Sequence, residues 1–476
     1  MLSPGKARLA AVRRLAVTLL AGAAVLAAPG IAHATEVSLT MDDGVRIDAS
    51  LDVPSGPAPA GGWPAVMMFH GLGGNHTSLA QGLGPSYLAK GYAVFAPDAR
   101  GHGTSGGFVS LDGPREVADV RAEFQWLSAR PEISDTQIGV WGISLGGGAA
   151  WNSVVAGVPF KAVETFETWS DLYGALFPGN FGKSGAIYSF AQSVPADRID
   201  PSLRPYVPDL ISSDNLPAAR TLLGSRSSLR FMSAITTPSF LFQGRRDFAF
   251  DIDQAAAAYR RLAGPKRLYV GDFGHSPSKF PGPDLAHVLD LSTRWYDRFL
   301  KNEPNGVDKE KPVQVASDPW KNATSYATVP KVNRFTLSTP VRNGPHSLTP
   351  QGKIVYKLAP LKRTVEQFGA TTVKVVAKSA TSWPHLVAVL SAGNTVLSEG
   401  GTVTPIGKRQ WSITFKLISD ANLLKKGTRL TLTLGATSTV QNIGNLLYLK
   451  PVPDTARLKV GFVSLSVPTL DKPISR

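Results

Sequence analysis

Apolar residues recur along this chain in two rhythms, and the change between them divides it. From Glu36 to about Asn305, short unbroken apolar runs alternate with stretches whose apolar residues return every three or four positions. Glu36 to Met41 and Val45 to Val53 alternate apolar and polar residues around Asp42-Asp43-Gly44, which predicts a β-hairpin. Ala65 to Phe69 and Tyr92 to Ala96 are continuous apolar runs of the length expected for strands buried on both faces. Ser78 to Lys90 is helical in pattern, and residues 114–130 place Val117, Val120, Phe124 and Leu127 on one helical stripe. Further strands are predicted at Ile138 to Trp141, Ala162 to Phe166, Ser239 to Gln243 and Arg267 to Val270. Helices are predicted at Ala149 to Ala156, Asp253 to Leu262 and Asp284 to Lys301. Strands and helices in this alternation make an α/β unit, a parallel sheet covered on both sides.

The alternation lapses between about Trp169 and Ser233, where Pro, Tyr and Phe are scattered among short helical patches. Its position between two strands suggests an inserted helical cap. After Asn305 the helical rhythm disappears. Alternating runs such as Thr371 to Ala377, Leu386 to Leu390, Trp411 to Leu417 and Arg429 to Leu434 predict an all-β sandwich over residues 306–476.

The first 34 residues read as a leader: a basic start (Lys6 to Arg14), an apolar stretch (Leu15 to Ala28) and Ala32-His33-Ala34. This is the pattern of a signal peptide cleaved after Ala34, and it predicts export. The expected organisation is therefore leader 1–34, α/β domain 35–305 with its cap at about 169–233, and β-sandwich 306–476. The chain has no cysteine, which excludes a disulfide framework, zinc–thiolate sites and a cysteine nucleophile. Its formal charge is +15. Loss of Lys6, Arg8, Arg13 and Arg14 with the leader would leave +11. No Lys/Arg run is interleaved with aromatics as a nucleic-acid groove requires, so a solvated basic surface favouring anionic envelope polymers is the expected reading.

The chemistry concentrates at Gly142-Ile143-Ser144-Leu145-Gly146, set between a strand and a helix. Gly-x-Ser-x-Gly in that setting is the nucleophile elbow of α/β-hydrolases, where the glycines leave room for strand and helix to close around a strained serine. Asp247 follows its strand by three residues, and His275 lies in the loop after the next one. Ser144, Asp247 and His275 thus arrive in the Ser–Asp–His order of this fold. Asp251 and Asp272 are alternative acids. The oxyanion donors expected are the backbone N–H of Leu145 and, from the loop after Phe69, that of Leu72 or Gly71. His70 is expected to shape that loop, and Arg100 to pair with a carboxylate beneath the site. The spacing of His70, His76, Asp98 and His102 is not a metal signature, and no metal or cofactor is expected. Gly182-Lys183-Ser184 is not a phosphate-binding loop: Phe177 stands where such a loop needs glycine, and no strand precedes it.

With these residues placed, the chain resembles the peptidase family that contains X-Pro dipeptidyl-peptidases and bacterial cocaine esterase. The features that carry the resemblance are the hairpin with Asp43-Gly44, the Ser144 elbow, Arg226-Ser227, Asp247, His275 and the trailing β domain. The resemblance implies a jelly-roll-like sandwich packed against the catalytic domain. Family members with peptidase or cocaine-esterase activity tend to carry a tyrosine after the third strand, whereas this chain has His70-Gly71-Leu72-Gly73-Gly74. With no clear acidic pair in the cap to hold a free α-amino group, this favours a secreted serine hydrolase acting on carboxylic esters, with amides as a second class. The alternatives are an X-Pro dipeptidyl-peptidase and, from another class, a non-catalytic envelope- or glycan-binding protein. A small ester or peptide is the expected partner.

Overall fold

The computed structural model describes residues 34–339 and 346–474; apart from Ala34, the leader assignment lies outside them. Strands β1 (Ala34–Thr40) and β2 (Arg46–Asp52) form the antiparallel hairpin. They edge a sheet continued by β3 (Trp63–Phe69), β4 (Ala93–Pro97), β5 (Ile133–Ile143), β6 (Val163–Phe166), β7 (Ser239–Gly244), β8 (Lys266–Gly271), β9 (Val313–Ala316) and β10 (Ala323–Tyr326). The spatial order is β1-β2-β4-β3-β5-β6-β7-β8-β9-β10, and every pair from β4 to β9 is parallel.

Side chains of a strand point alternately to opposite faces, so an unbroken apolar run feeds two cores. Ala65, Met67 and Phe69 of β3 pack with α3 (Pro114–Ser128), α4 (Leu145–Val155) and α9 (Ile252–Arg261). Val66 and Met68 pack on the other side with α1 (His76–Gly82), α2 (Gly84–Leu88) and α10 (Leu285–Phe299). Helices α1 and α2 correct the single helix predicted over Ser78 to Lys90: the run is interrupted at Leu83, before Gly84-Pro85. Pro85 brings no N–H, and proline is tolerated only in the first turn of a helix, so a new helix starts there.

The composition change at Asn305 precedes the architectural one. Strands β9 and β10 still belong to the catalytic sheet, so the sandwich begins at β11 (Asn333–Thr339) rather than at residue 306. One of its sheets runs β11, β19 (Arg457–Thr469), β14 (Val365–Thr381), β17 (Trp411–Leu424), with β12 (His346–Leu348) also paired to β19. The other runs β13 (Lys353–Pro360), β18 (Arg429–Gly435), β15 (His385–Ala392), β16 (Thr395–Val403). Leu386, Ala388 and Leu390 of β15 meet Val373, Val375 and Ala377 of β14 in the core between them.

The insertion between β6 and β7 carries four short helices, α5 (Leu172–Leu176), α6 (Ser184–Ala191), α7 (Tyr206–Ser212) and α8 (Leu216–Gly224). Their apolar faces form a core of their own around Leu172, Leu176, Ile187, Leu210 and Leu223, which also takes in Leu145 and Phe250. No helix among the described residues is long and apolar enough to cross a membrane.

Candidate active site

Ser144 stands between β5 and α4 with φ 54° and ψ −115°, a conformation costly for any residue with a Cβ. The structure around it over-determines the turn. Its N–H donates to the Phe166 carbonyl at 2.9 Å, and its own carbonyl accepts the Thr168 hydroxyl at 2.7 Å. A Cβ on Gly142 would lie 2.1 Å from the Gly146 carbonyl oxygen, and one on Gly146 would lie 2.1 Å from that of Phe69. Only glycine at both positions lets strand and helix approach this closely.

Asp247 and His275 come from the turns after β7 and β8, at the same carboxyl edge of the sheet. His275 Nε2 lies 3.0 Å from Ser144 Oγ, and His275 Nδ1 lies 2.7 Å from Asp247 Oδ2. Asp247 is fully buried, and its other oxygen accepts the N–H groups of Ala249 and Phe250, each at 2.9 Å. Those donors fix the orientation of the carboxylate. Burial pulls the His275 pKa down, but the charge and hydrogen bond of Asp247, with Glu167 adding, raise it to about 9. The alternative acids lie elsewhere. Asp251 accepts the Ser419 N–H at 2.9 Å, and Asp272 accepts that of Trp320 at 3.3 Å.

The loop after β3 lies against the serine. A methyl group on Gly71 would come within 3.4 Å of Ser144 Cβ and 3.9 Å of its Oγ. The Ala99 N–H donates to His70 Nε2 at 2.9 Å, which puts the ring proton on Nδ1, and Nδ1 donates to the Gly71 carbonyl at 2.7 Å. His70 is thus a neutral clamp on the loop, and burial holds its pKa below the usual value. Leu72 and Leu145 line the same cavity as Ser144. Leu145 opens α4, so its N–H is one of the donors a helix start leaves without an intrahelical acceptor. Behind the loop, Arg100 donates to Asp119 at 2.7 Å and to Asp43 at 2.8 Å. His76 and His102 face Asp98 and the Arg100 carbonyl respectively.

The cavity above Ser144 encloses about 890 Å³, including its open mouth. Its walls are apolar side chains of the cap and neighbouring loops, among them Leu172, Leu176, Ile187, Phe190 and Leu210; Ser144 is the one polar residue among them.

Two features were missed in the sequence. Glu167 is buried directly behind β6, with Oε2 3.5 Å from His275 Nδ1. An acid immediately after a strand of the parallel sheet, at the edge where ligands bind in such folds, was the available signal. Lys183, set aside with its phosphate-loop decoy, is buried and donates to the carbonyls of Phe248 and Ala249 at 2.8 and 3.0 Å. It braces the turn that carries Asp247.

A serine–histidine–aspartate contact at the sheet's carboxyl edge, under a helical cap, defines an α/β-hydrolase. The sequence profile of the X-Pro dipeptidyl-peptidase (S15) family matches residues 43–277, and this catalytic part of the chain belongs to that family of serine hydrolases. A Streptomyces avermitilis protein described as a candidate Xaa-Pro dipeptidyl-peptidase is 23% identical over 363 residues, which cover 64% of this chain and 52% of that one. The chain thus spans about half the length of that relative. A CocE/NonD family hydrolase from Staphylococcus aureus superposes with a TM-score of 0.69 at 14% identity, over 91% of this chain and 93% of its own. An α-amino acid ester hydrolase does so with a TM-score of 0.64 at 13% identity, over 96% of this chain and 99% of its own. Both likenesses are of fold, and both include the β-sandwich.

Proposed function

We propose that the protein is an exported carboxylesterase that accepts an apolar acyl group and works through an acyl-enzyme on Ser144. The observation that carries this reading is the cavity: its walls are apolar and Ser144 is the one polar residue among them. An X-Pro dipeptidyl-peptidase has to hold a free α-amino group, and an ammonium taken out of water without a carboxylate partner costs several kcal/mol. The cavity walls include no Asp or Glu.

In this mechanism the apolar acyl chain packs under the cap and brings its carbonyl carbon to Ser144 Oγ. His275 Nε2 takes the hydroxyl proton as Oγ attacks, and Asp247 holds the proton of Nδ1 and stabilises the imidazolium. The Leu145 N–H, with that of Leu72 or Gly71, receives the oxyanion. The imidazolium then gives its proton to the leaving alcohol, and water repeats the sequence on the acyl-enzyme. Export rests on the leader pattern before Thr35. Secretion of the natural chain, with a mature N-terminus at Thr35, tests it; retention in the cytoplasm contradicts it.

The substrate test compares nitrophenyl butyrate with Ala-Pro-nitroanilide. The expected outcome is a kcat/KM at least about 100-fold higher for the ester. A preference for the anilide overturns this reading in favour of the peptidase.

A further inference from the structure

We infer that Glu167 is a second acid for His275: a positioning residue that shares the Nδ1 side of the imidazole with Asp247 and orients the ring when Asp247 cannot. The inference rests on the reading of Ser144 and His275 as nucleophile and base.

Four observations carry it. Glu167 Oε2 lies 3.5 Å from His275 Nδ1, on the side of the ring that Asp247 contacts at 2.7 Å. The side chain is about 2% exposed, so its carboxyl is out of reach of bulk water. Its Oε1 has no hydrogen-bond partner, which leaves this buried carboxyl with little to do except face the histidine. Its backbone sits at φ 46°, a left-handed conformation that glycine or asparagine would adopt at lower cost. That strained position is held by the Glu167 N–H donating to the Phe242 carbonyl at 2.9 Å. A purely structural residue would not need a carboxyl here, because an apolar side chain would fill the space without a buried polar atom to satisfy.

The electrostatics divide the two acids. Asp247 already accepts two backbone N–H groups, from Ala249 and Phe250. Glu167 faces His275, Asp247 and, from the start of α10, Asp284. Burial raises its pKa most, the His275 charge opposes this, and Asp247 and Asp284 add to the rise, which brings it to about 8. Near neutrality Glu167 therefore keeps its proton, because two buried carboxylates this close to one ring do not both ionise readily. As Glu167 ionises, its negative charge makes His275 hold its own proton more tightly. The active form needs neutral His275, so Glu167 moves the rising limb of the pH–rate profile to higher pH. In a chain that lacks the Asp247 carboxylate, Glu167 is free to ionise and accept a hydrogen bond from the Nδ1–H of His275.

Two variants test this with nitrophenyl butyrate. Glu167→Gln, a near-isostere that cannot ionise, is expected to move the rising limb of kcat/KM down by about one pH unit. Asp247→Asn is expected to keep a residual rate that Glu167→Gln lowers by about tenfold more. A structural role alone would lower Tm and leave the limb in place. An unmoved limb overturns the proposal, as does a double variant as active as Asp247→Asn. Ser144→Ala in the same assay keeps the two readings apart: if it retains turnover, the nucleophile assignment fails whatever Glu167 does.

Discussion

Residues 1–330 contain thirty Lys and Arg against thirty Asp and Glu, whereas residues 331–476 contain twenty against five. The whole formal excess of +15 is thus contributed by the sandwich and its leading loop. Three of the five acids there, Glu366, Glu399 and Asp420, are buried, which leaves Asp454 and Asp471 exposed. Lys374, Lys378, Lys416 and Lys459 stand exposed on β14, β17 and β19. The catalytic unit shows the opposite economy: residues 35–330 carry twenty-six Lys and Arg against thirty Asp and Glu, and the cavity above Ser144 is apolar.

The two regions nevertheless meet at the site. Arg245, two residues before Asp247, forms a buried ion pair with Glu366 of β14, and its carbonyl accepts the Ala421 N–H at 2.8 Å. Ser419 of the sandwich reaches Asp251 and Asp253 at 2.9 Å each. On the cap side, Ser184 Oγ accepts the Leu449 N–H at 2.7 Å, next to the Lys183 that braces the acid turn. The sandwich therefore supports the turn that presents Asp247.

Removing the nucleophile is the largest perturbation of the catalytic half: Ser144→Ala should lower ester turnover by on the order of 10⁴-fold or more, with the fold, read by circular dichroism, unchanged. Breaking the link between the halves comes next. Glu366→Gln strands a buried guanidinium and should cost about 3–5 kcal/mol of stability; denaturant titration measures it, and a loss below about 1 kcal/mol would mean that the halves are energetically separate. Within the cavity, Leu223→Trp should lower kcat/KM for octanoyl esters by about tenfold relative to acetyl esters, since a few methylenes of apolar fit are worth 1–3 kcal/mol. On the sandwich, Lys374→Glu with Lys378→Glu and Lys459→Glu should weaken salt-dependent retention on heparin and leave ester turnover within about twofold; a parallel loss of turnover would undo the division of labour.

The smallest effect is one of pH. Burial raises Glu123 in the catalytic unit to about 8 and Glu399 in the sandwich to about 7. Between about pH 4.5 and 8 the folded chain therefore binds protons that the unfolded chain has released, and stability falls as pH rises through that window. Tm should be about 2–4 °C higher at pH 5.5 than at pH 8, and Glu123→Gln should reduce the difference.

Much of this was legible because the signals are local. Ser144, Asp247 and His275 each follow a strand of recognisable pattern, so their order and their placement at one sheet edge could be read directly. His70 and Arg100 were legible as supports for the same reason. What remained hidden depends on partners far apart in the chain. Nothing near Arg245 points to Glu366, 121 positions later. The apolar cavity is assembled from cap helices too short to show a clear period. Strands β9 and β10 escaped notice because they join the catalytic sheet after the composition has already turned β-rich. Glu167 carries no motif, and only the fold brings it to His275.

An apolar acyl group on Ser144 is the intermediate that the proposed ester hydrolysis requires. Quenching the reaction with nitrophenyl hexanoate at early time and mapping peptides by mass should find a hexanoyl group on the peptide that contains Ser144. Ester turnover with that peptide unmodified, or with the acyl group on another residue, would contradict it.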